Sequence, residues 1–173
     1  FQTHPALRDV NEDVLRNPKV TVHAQDAVEF VDSANEMWDV IILDLPDPND
    51  DTLSRLYAQS TYRLVLSRLA SSGALVTQAT SPFFAPDAFW CIVETLETVV
   101  GSQMKVRPYH VNVPSFGEWG FVMVSPDTAE LPRLPHSLST EFMDQATLDA
   151  MFHFILTELF MYSTKIICFS LNN

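Results

Sequence analysis

An α/β fold with a doubly wound sheet is predicted by two features of the pattern and one of composition. Short β-branched apolar runs alternate with longer amphipathic stretches, as strands joined by crossover helices do. One of those runs, Trp38-Asp-Val-Ile-Ile-Leu43, is apolar at nearly every position and reads as a buried central strand. With 173 residues and 47% hydrophobic content, the chain can also bury a sizeable core.

In order, Val20-Thr-Val-His23 reads as a strand and Ala27 to Ser33 as a short helix that Asp26 is suited to cap. After Trp38–Leu43, the run from Leu53 to Leu69 supplies one or two helices. Gly73 is expected to stop the last of these and launch Ala74-Leu-Val-Thr-Gln78 as the next strand. Ser81-Pro82 and Pro86 then open a helix from about Asp87 to Val99, whose Phe89 and Trp90 are most simply core. Lys105–His110 and Gly120–Ser125 are two further strands. The connection Val111–Trp119 is long for a hairpin, and excursions of that kind over a sheet end often carry ligand contacts. Pro132 and Pro135 mark a linker, Ser139–Phe154 reads as helix, and Ile155–Asn173 has no clear period. The organisation expected is a catalytic unit over residues 1–126 followed by linker, helix and tail over residues 127–173.

Charge narrows the partners. With 22 acidic against 10 basic residues the net charge is −12, which argues against nucleic acid, since phosphate binding needs a basic surface that releases counterions. Cationic ligands suit this field, although acidity also serves solubility alone. Cys91 and Cys168 are far apart with no C-x-x-C spacing and no nearby His pair, so they read as buried thiols of a reducing compartment rather than zinc ligands. The most apolar stretch, Met151–Phe169, is interrupted by His153, Glu158 and Lys165 and makes a poor membrane span.

The strongest local signal is the strand Trp38–Leu43 running into Asp44-Leu-Pro-Asp47-Pro-Asn-Asp50-Asp51. Strand ends are where α/β enzymes place working groups. Asp44 and Asp47, separated by the rigid Pro46, can face one pocket and hold an amine or take its proton. A solvated turn accounts for the same spacing, because Asp and Pro are common in loops.

Three blocks in order carry a resemblance. They are Asp39-Val-Ile-Ile-Leu-Asp44-Leu-Pro-Asp47-Pro, Gln78-Ala-Thr-Ser81-Pro82-Phe-Phe, and Arg107-Pro-Tyr-His-Val-Asn-Val-Pro114-Ser-Phe116-Gly-Glu-Trp119-Gly120-Phe121. Their order and spacing resemble the polyamine aminopropyltransferases of the spermidine synthase type over about Asn17–Pro126. The similarity is greatest to the bacterial branch whose catalytic domain follows an N-terminal membrane domain. The resemblance implies a Rossmann-like sheet of the class I methyltransferase type. It also implies transfer of an aminopropyl group from decarboxylated S-adenosylmethionine, as co-substrate, to a polyamine such as putrescine, with no metal and no prosthetic group.

On the matching positions, Asp44 is the catalytic base that also holds the attacking amine, and Asp47 binds an ammonium group. Gln78 reaches the acceptor or caps its strand. Phe116 and Trp119 form an aromatic wall for the methylenes, and rings of that kind also attract ammonium groups. Tyr57 and Tyr109 are lesser candidates for the acceptor side. Asp26 and Ala27 read the adenine, with a helix cap as the competing role of Asp26. His110 is more simply structural than catalytic.

Departures accompany these matches. No G-x-G-x-x-G or similar Gly-rich turn occurs, with only Gly73, Gly101, Gly117 and Gly120 available; on the resemblance that turn, the first strands and the ribose-holding acid are expected upstream, which makes this a C-terminal fragment of the catalytic domain. A membrane-anchored parent at the inner face of the cell membrane, a cytoplasmic catalytic domain and a homo-oligomer are further expectations of the resemblance. Two rival readings are a methyltransferase using S-adenosylmethionine itself and a non-catalytic protein that keeps the fold to bind polyamines or to assemble.

Overall fold

The computed structural model describes residues 4–154 apart from Pro132 and His136. Expectations for Ile155–Asn173 therefore lie outside the described residues, as does Cys168. The chain divides into two compact units, one ending at Ser33 and the other beginning at Ala34.

The first unit holds α1 (Pro5–Val10), a 3-10 turn (Val14–Arg16) and α2 (Ala27–Ser33). Pro5 opens α1, where a missing N–H costs nothing. The turn that follows is clamped by a two-pronged pair, Arg8 Nε to Asp13 Oδ1 at 2.9 Å and Nη2 to Oδ2 at 2.7 Å. Val20–His23, expected as a strand, is irregular instead, with Val20 37% and Val22 48% exposed. β-branched residues favour extended backbone only where a neighbouring strand takes up their N–H and C=O groups, and among the described residues none does.

The second unit is built on a four-stranded mixed sheet in the order β1-β2-β4-β3, where β1 is Trp38–Leu43, β2 Leu69–Gln78, β3 Met104–Val113 and β4 Gly117–Pro126. The α/β class is confirmed. The parallel arrangement holds for β1 and β2, whereas β4 runs antiparallel to both β2 and β3. The long excursion expected between the last two strands is absent: Val113 pairs with Gly117, leaving a tight turn at whose end Gly117 takes φ +75°. β1 is not central either. It is one of the two outer strands among those described, with Val40 63% and Ile42 71% exposed.

Gly73 lies inside β2 rather than before it. The β1–β2 register jumps between Trp38↔Leu69 and Val40↔Ala74, and at that irregularity a side chain on residue 73 would meet the Asp39 carbonyl at 2.8 Å. The glycine therefore permits close strand approach. Between β1 and β2 run α3 (Asp51–Ser54), a 3-10 turn (Arg55–Tyr57) and α4 (Gln59–Leu66), and between β2 and β3 runs α5 (Pro86–Val99).

As expected, Phe89 and Trp90 are core, and with Ile92, Val93 and Leu96 they give α5 a buried face. Fully burying a large apolar side chain stabilises by roughly 1.5–3 kcal/mol. Cys91, expected as a buried free thiol, is half-buried on α5 and disulfide-bonded. The helix expected from Ser139 shortens to α6 (Gln145–Ala150), started by the Asp144 carboxylate accepting from the Thr147 N–H at 2.7 Å. No helix among the described residues is long and apolar enough to cross a membrane.

Candidate active site

Strand direction gathers the candidate residues of the second unit. Parallel β1 and β2 put their carboxyl ends side by side, with Leu43 opposite Thr77. Antiparallel β4 brings its amino end to the same edge, with Phe121 opposite Gln78. Asp44–Asp47, Gln78 and the Phe116–Trp119 segment thus share one edge of the sheet, where α/β folds place their ligand crevice.

The acidic loop leaves β1 because Pro46 and Pro48 carry no N–H with which to continue a ladder. It ends where Asp50 caps α3, accepting from the Leu53 N–H at 2.8 Å. Asp44 is exposed and Asp47 half-buried. Beneath them sits a buried polar network. The Gln78 side-chain amide donates from Nε2 to the Tyr57 hydroxyl at 2.6 Å and to the Leu45 carbonyl at 2.7 Å, with Asp47 Oδ1 at 3.2 Å. The Tyr57 hydroxyl in turn donates to the Pro46 carbonyl at 3.0 Å, with the Leu45 carbonyl at 3.3 Å. Burial, then the negative charge of Asp47 and, more weakly, of Asp44, pushes the Tyr57 phenol up to about 12, against the opposing Gln78 hydrogen bond. Tyr57 is therefore a permanent neutral donor. The influence of both carboxylates on one phenol also puts them within electrostatic reach of a common point.

The orientation of the Gln78 amide is set by an unusual backbone. Its Oε1 accepts from the Thr80 N–H at 2.8 Å, so the NH₂ end faces the acidic loop. Thr80 has φ +60°, a left-handed conformation that costs an L residue on the order of 1–2 kcal/mol and is rarer still for a β-branched one. Gly120 holds it there: its N–H donates to the Thr80 carbonyl, and its own carbonyl accepts from the Ala79 N–H at 2.9 Å.

At the hairpin tip, Phe116 and Trp119 face each other with ring centroids 5.3 Å apart. Phe116 is 62% exposed and Trp119 half-buried. Tyr109 instead stacks on Phe121 at 5.3 Å and against Phe152, a packing role. His110 bonds Glu118 through Nδ1 and donates from Nε2 to the His153 carbonyl at 2.8 Å, which agrees with a structural histidine. In the first unit Asp26 caps α2, accepting from the N–H groups of Val28 at 2.8 Å and Glu29 at 3.0 Å, and Ala27 is the first residue of that helix.

Asp47, Tyr57 and Gln78 are joined by this network, Asp44 lies on the same loop outside its hydrogen bonds, and Phe116 with Trp119 forms a separate pair on the same edge. Two further participants have no sequence signal: the Leu45 and Pro46 carbonyls, and the left-handed turn at Thr80. Nothing in a Thr marks it for positive φ.

A mixed sheet with crossover helices and a carboxylate pair at a strand end places the chain among α/β proteins. The chain belongs to the spermine/spermidine synthase domain family, whose model matches residues 4–134. It is 39% identical over 155 residues to polyamine aminopropyltransferase 2 of Ralstonia nicotianae, covering 89% of this chain and 30% of that protein. It is 40% identical over 145 residues to the polyamine aminopropyltransferase of Oceanobacillus iheyensis, covering 84% of this chain and 28% of that one. The chain thus spans about a third of the length of these curated relatives. Among solved structures, a spermidine synthase in complex with the transition-state analogue AdoDATO superposes with a TM-score of 0.70 at 15% identity, covering 91% of this chain and 54% of that one. The spermidine synthase of Thermotoga maritima gives 0.69 at 15% identity, covering 88% and 53%. At that identity the likeness is one of fold.

Proposed function

We propose that the protein carrying this chain transfers an aminopropyl group from decarboxylated S-adenosylmethionine to the amine of a polyamine such as putrescine, giving spermidine and methylthioadenosine. The observation that carries this reading is the Asp44–Asp47 pair at the carboxyl end of β1, on a loop fixed from beneath, in a chain of this family.

The acceptor arrives as an ammonium ion, which a carboxylate pair binds and which must lose a proton before it can attack. In this reading Asp47 holds an ammonium group and Asp44 takes the proton. The freed nitrogen lone pair attacks the propyl carbon next to sulfur, the carbon–sulfur bond breaks, and its electrons return to sulfur to leave a neutral thioether. Phe116 and Trp119 cover the methylenes between the amines. Asp26 and Ala27 contact the adenine. Polyamine and nucleoside are the partners of this site, nucleic acid is not, and the catalytic unit belongs to the cytoplasm. Membrane anchoring and self-association of the full-length protein are separate expectations, read by fractionation and by sedimentation.

The test supplies putrescine and decarboxylated S-adenosylmethionine to the full-length protein and measures methylthioadenosine. Product is expected, with Asp44→Asn lowering turnover by about 10²–10⁴-fold while nucleoside binding persists. Methyl transfer from S-adenosylmethionine instead, or binding without turnover, would overturn the reading, as would near-normal turnover in Asp44→Asn.

A further inference from the structure

Gln78 and Tyr57 have residue types suited to contacting a polyamine, and their surroundings point to another use. Gln78 is 5% and Tyr57 6% exposed. The Gln78 amide has two hydrogens, and two close acceptors, the Tyr57 hydroxyl at 2.6 Å and the Leu45 carbonyl at 2.7 Å, account for both. Its oxygen is taken by the Thr80 N–H. The single hydrogen of Tyr57 goes to the backbone of the acidic loop. Neither side chain has a donor left for a ligand.

The loop, for its part, needs outside support. Pro46 and Pro48 cannot donate, and its main internal backbone bond is Asn49 N–H to the Asp47 carbonyl at 2.7 Å. Its two carboxylates carry like charges whose repulsion would move them apart unless the backbone between them is held. The backbone is held at the two residues between them, Leu45 and Pro46.

We infer that Gln78 and Tyr57 are positioning residues: they grip the Leu45 and Pro46 carbonyls so that Asp44 and Asp47 are presented in a fixed relation, and the Thr80 N–H, bonded to Gln78 Oε1, keeps the amide NH₂ pointing at the loop. This deepens the proposed reaction and rests on it for its effect on turnover. The left-handed turn at Thr80 aims its carbonyl at the Gly120 N–H, and together with the Ala79 N–H to Gly120 carbonyl bond this ties to β4 the segment whose Thr80 N–H holds Gln78 Oε1. The Asp47 oxygen at 3.2 Å is the weakest of the three Gln78 contacts, so an arriving ammonium can take that carboxylate without dismantling the grip.

Two variants of the full-length protein test this, Tyr57→Phe and Gln78→Ala, each with two measurements. In aminopropyl transfer, kcat is expected to fall by roughly 10–100-fold, since a misplacement of about 1 Å can cost 10²-fold, with acceptor KM within about threefold of wild type. Hydrogen exchange over residues 44–54, which needs no substrate, is expected to quicken by about 5–10-fold, the effect of losing one ordinary hydrogen bond. A large rise in acceptor KM with kcat preserved would return both residues to direct substrate contact and overturn the inference. Exchange within twofold of wild type in Tyr57→Phe would also overturn it. If the wild-type protein makes no methylthioadenosine, the proposed reaction fails, while the exchange measurement still decides whether the loop is held in this way.

Discussion

Gly120→Ala is the most informative single perturbation of the fold around the site. A Cβ at residue 120 would lie 2.5 Å from the Phe89 ring carbon Cδ2 and 3.0 Å from Pro82 Cδ. Ordinary contact begins at 3.4 Å and Cε2 of the same ring lies closer still, so more than 0.9 Å of overlap must be absorbed. Phe89 cannot easily yield it, being fully buried with Trp90 5.0 Å and Phe154 5.8 Å away by ring centroid. Overpacking of this kind costs about 1–3 kcal/mol, a large part of the roughly 5–15 kcal/mol that holds a domain folded. With a urea slope of about 1–3 kcal/mol per molar, the unfolding midpoint should drop by about 1 M. The explanation is checked by relieving the clash from the other side. Phe89→Leu alone leaves a cavity and destabilises, but in the double variant the ring edge is gone, so the two losses should sum to at least 1 kcal/mol less than additivity requires. A midpoint for Gly120→Ala within 0.2 M of wild type, or a strictly additive double variant, would refute the steric argument; the 0.2 M limit is about the smallest shift such a slope turns into a measurable energy.

Two further predictions separate roles that share a residue. Asp26→Asn keeps an equally good helix cap, so the thermal midpoint should stay put while the nucleoside dissociation constant, read by calorimetry, rises about tenfold or more as a charge-assisted bond is lost; a fall in midpoint without loss of affinity would leave Asp26 only its cap. Asp144 is held below the ordinary aspartate range by the Thr147 backbone N–H and side chain. Its carboxylate form is therefore favoured in the folded state, so its contribution is full above the unfolded value of about 3.9 and is lost as pH falls through the lower folded one. Asp144→Asn caps without titrating, and the gap in thermal midpoint between wild type and variant should be constant near neutrality and change only below about pH 4.

What the sequence revealed and what it hid follow from the range of the forces involved. β1, α2 and α5 are legible because periodicity and capping are local: Trp38–Leu43 is apolar except at Asp39, Asp26 precedes a helix, and Pro86 opens one. Val20–His23 looks the same locally but lacks a partner strand, which no window of four residues can reveal. At Gly73, a glycine that ends a helix and one that admits a neighbouring strand are indistinguishable until the Asp39 carbonyl is in place. Within the site, Asp44 and Asp47 stood out by chemistry and position. The use made of Gln78 and Tyr57 did not, since it depends on contacts spanning 33 and 11 residues of chain and on backbone carbonyls common to every residue type.

The mixed direction of the sheet also bears on the order in which the molecule assembles. β3 and β4 meet across a short turn, and hairpins of that kind close in about 1–10 μs. β2 must find β4 across the whole of α5, and β1 must find β2 across α3 and α4, so these non-local pairings are expected to come later. The Gln78 amide reaches the Leu45 carbonyl only when β1 has paired with β2, and the Ala79–Thr80 segment that orients it is tied down only when β4 is also in place. The carboxylate loop is thus the last part of the sheet edge to acquire its shape, and any slowing of β1 docking would show itself as folded but loosely held carboxylates.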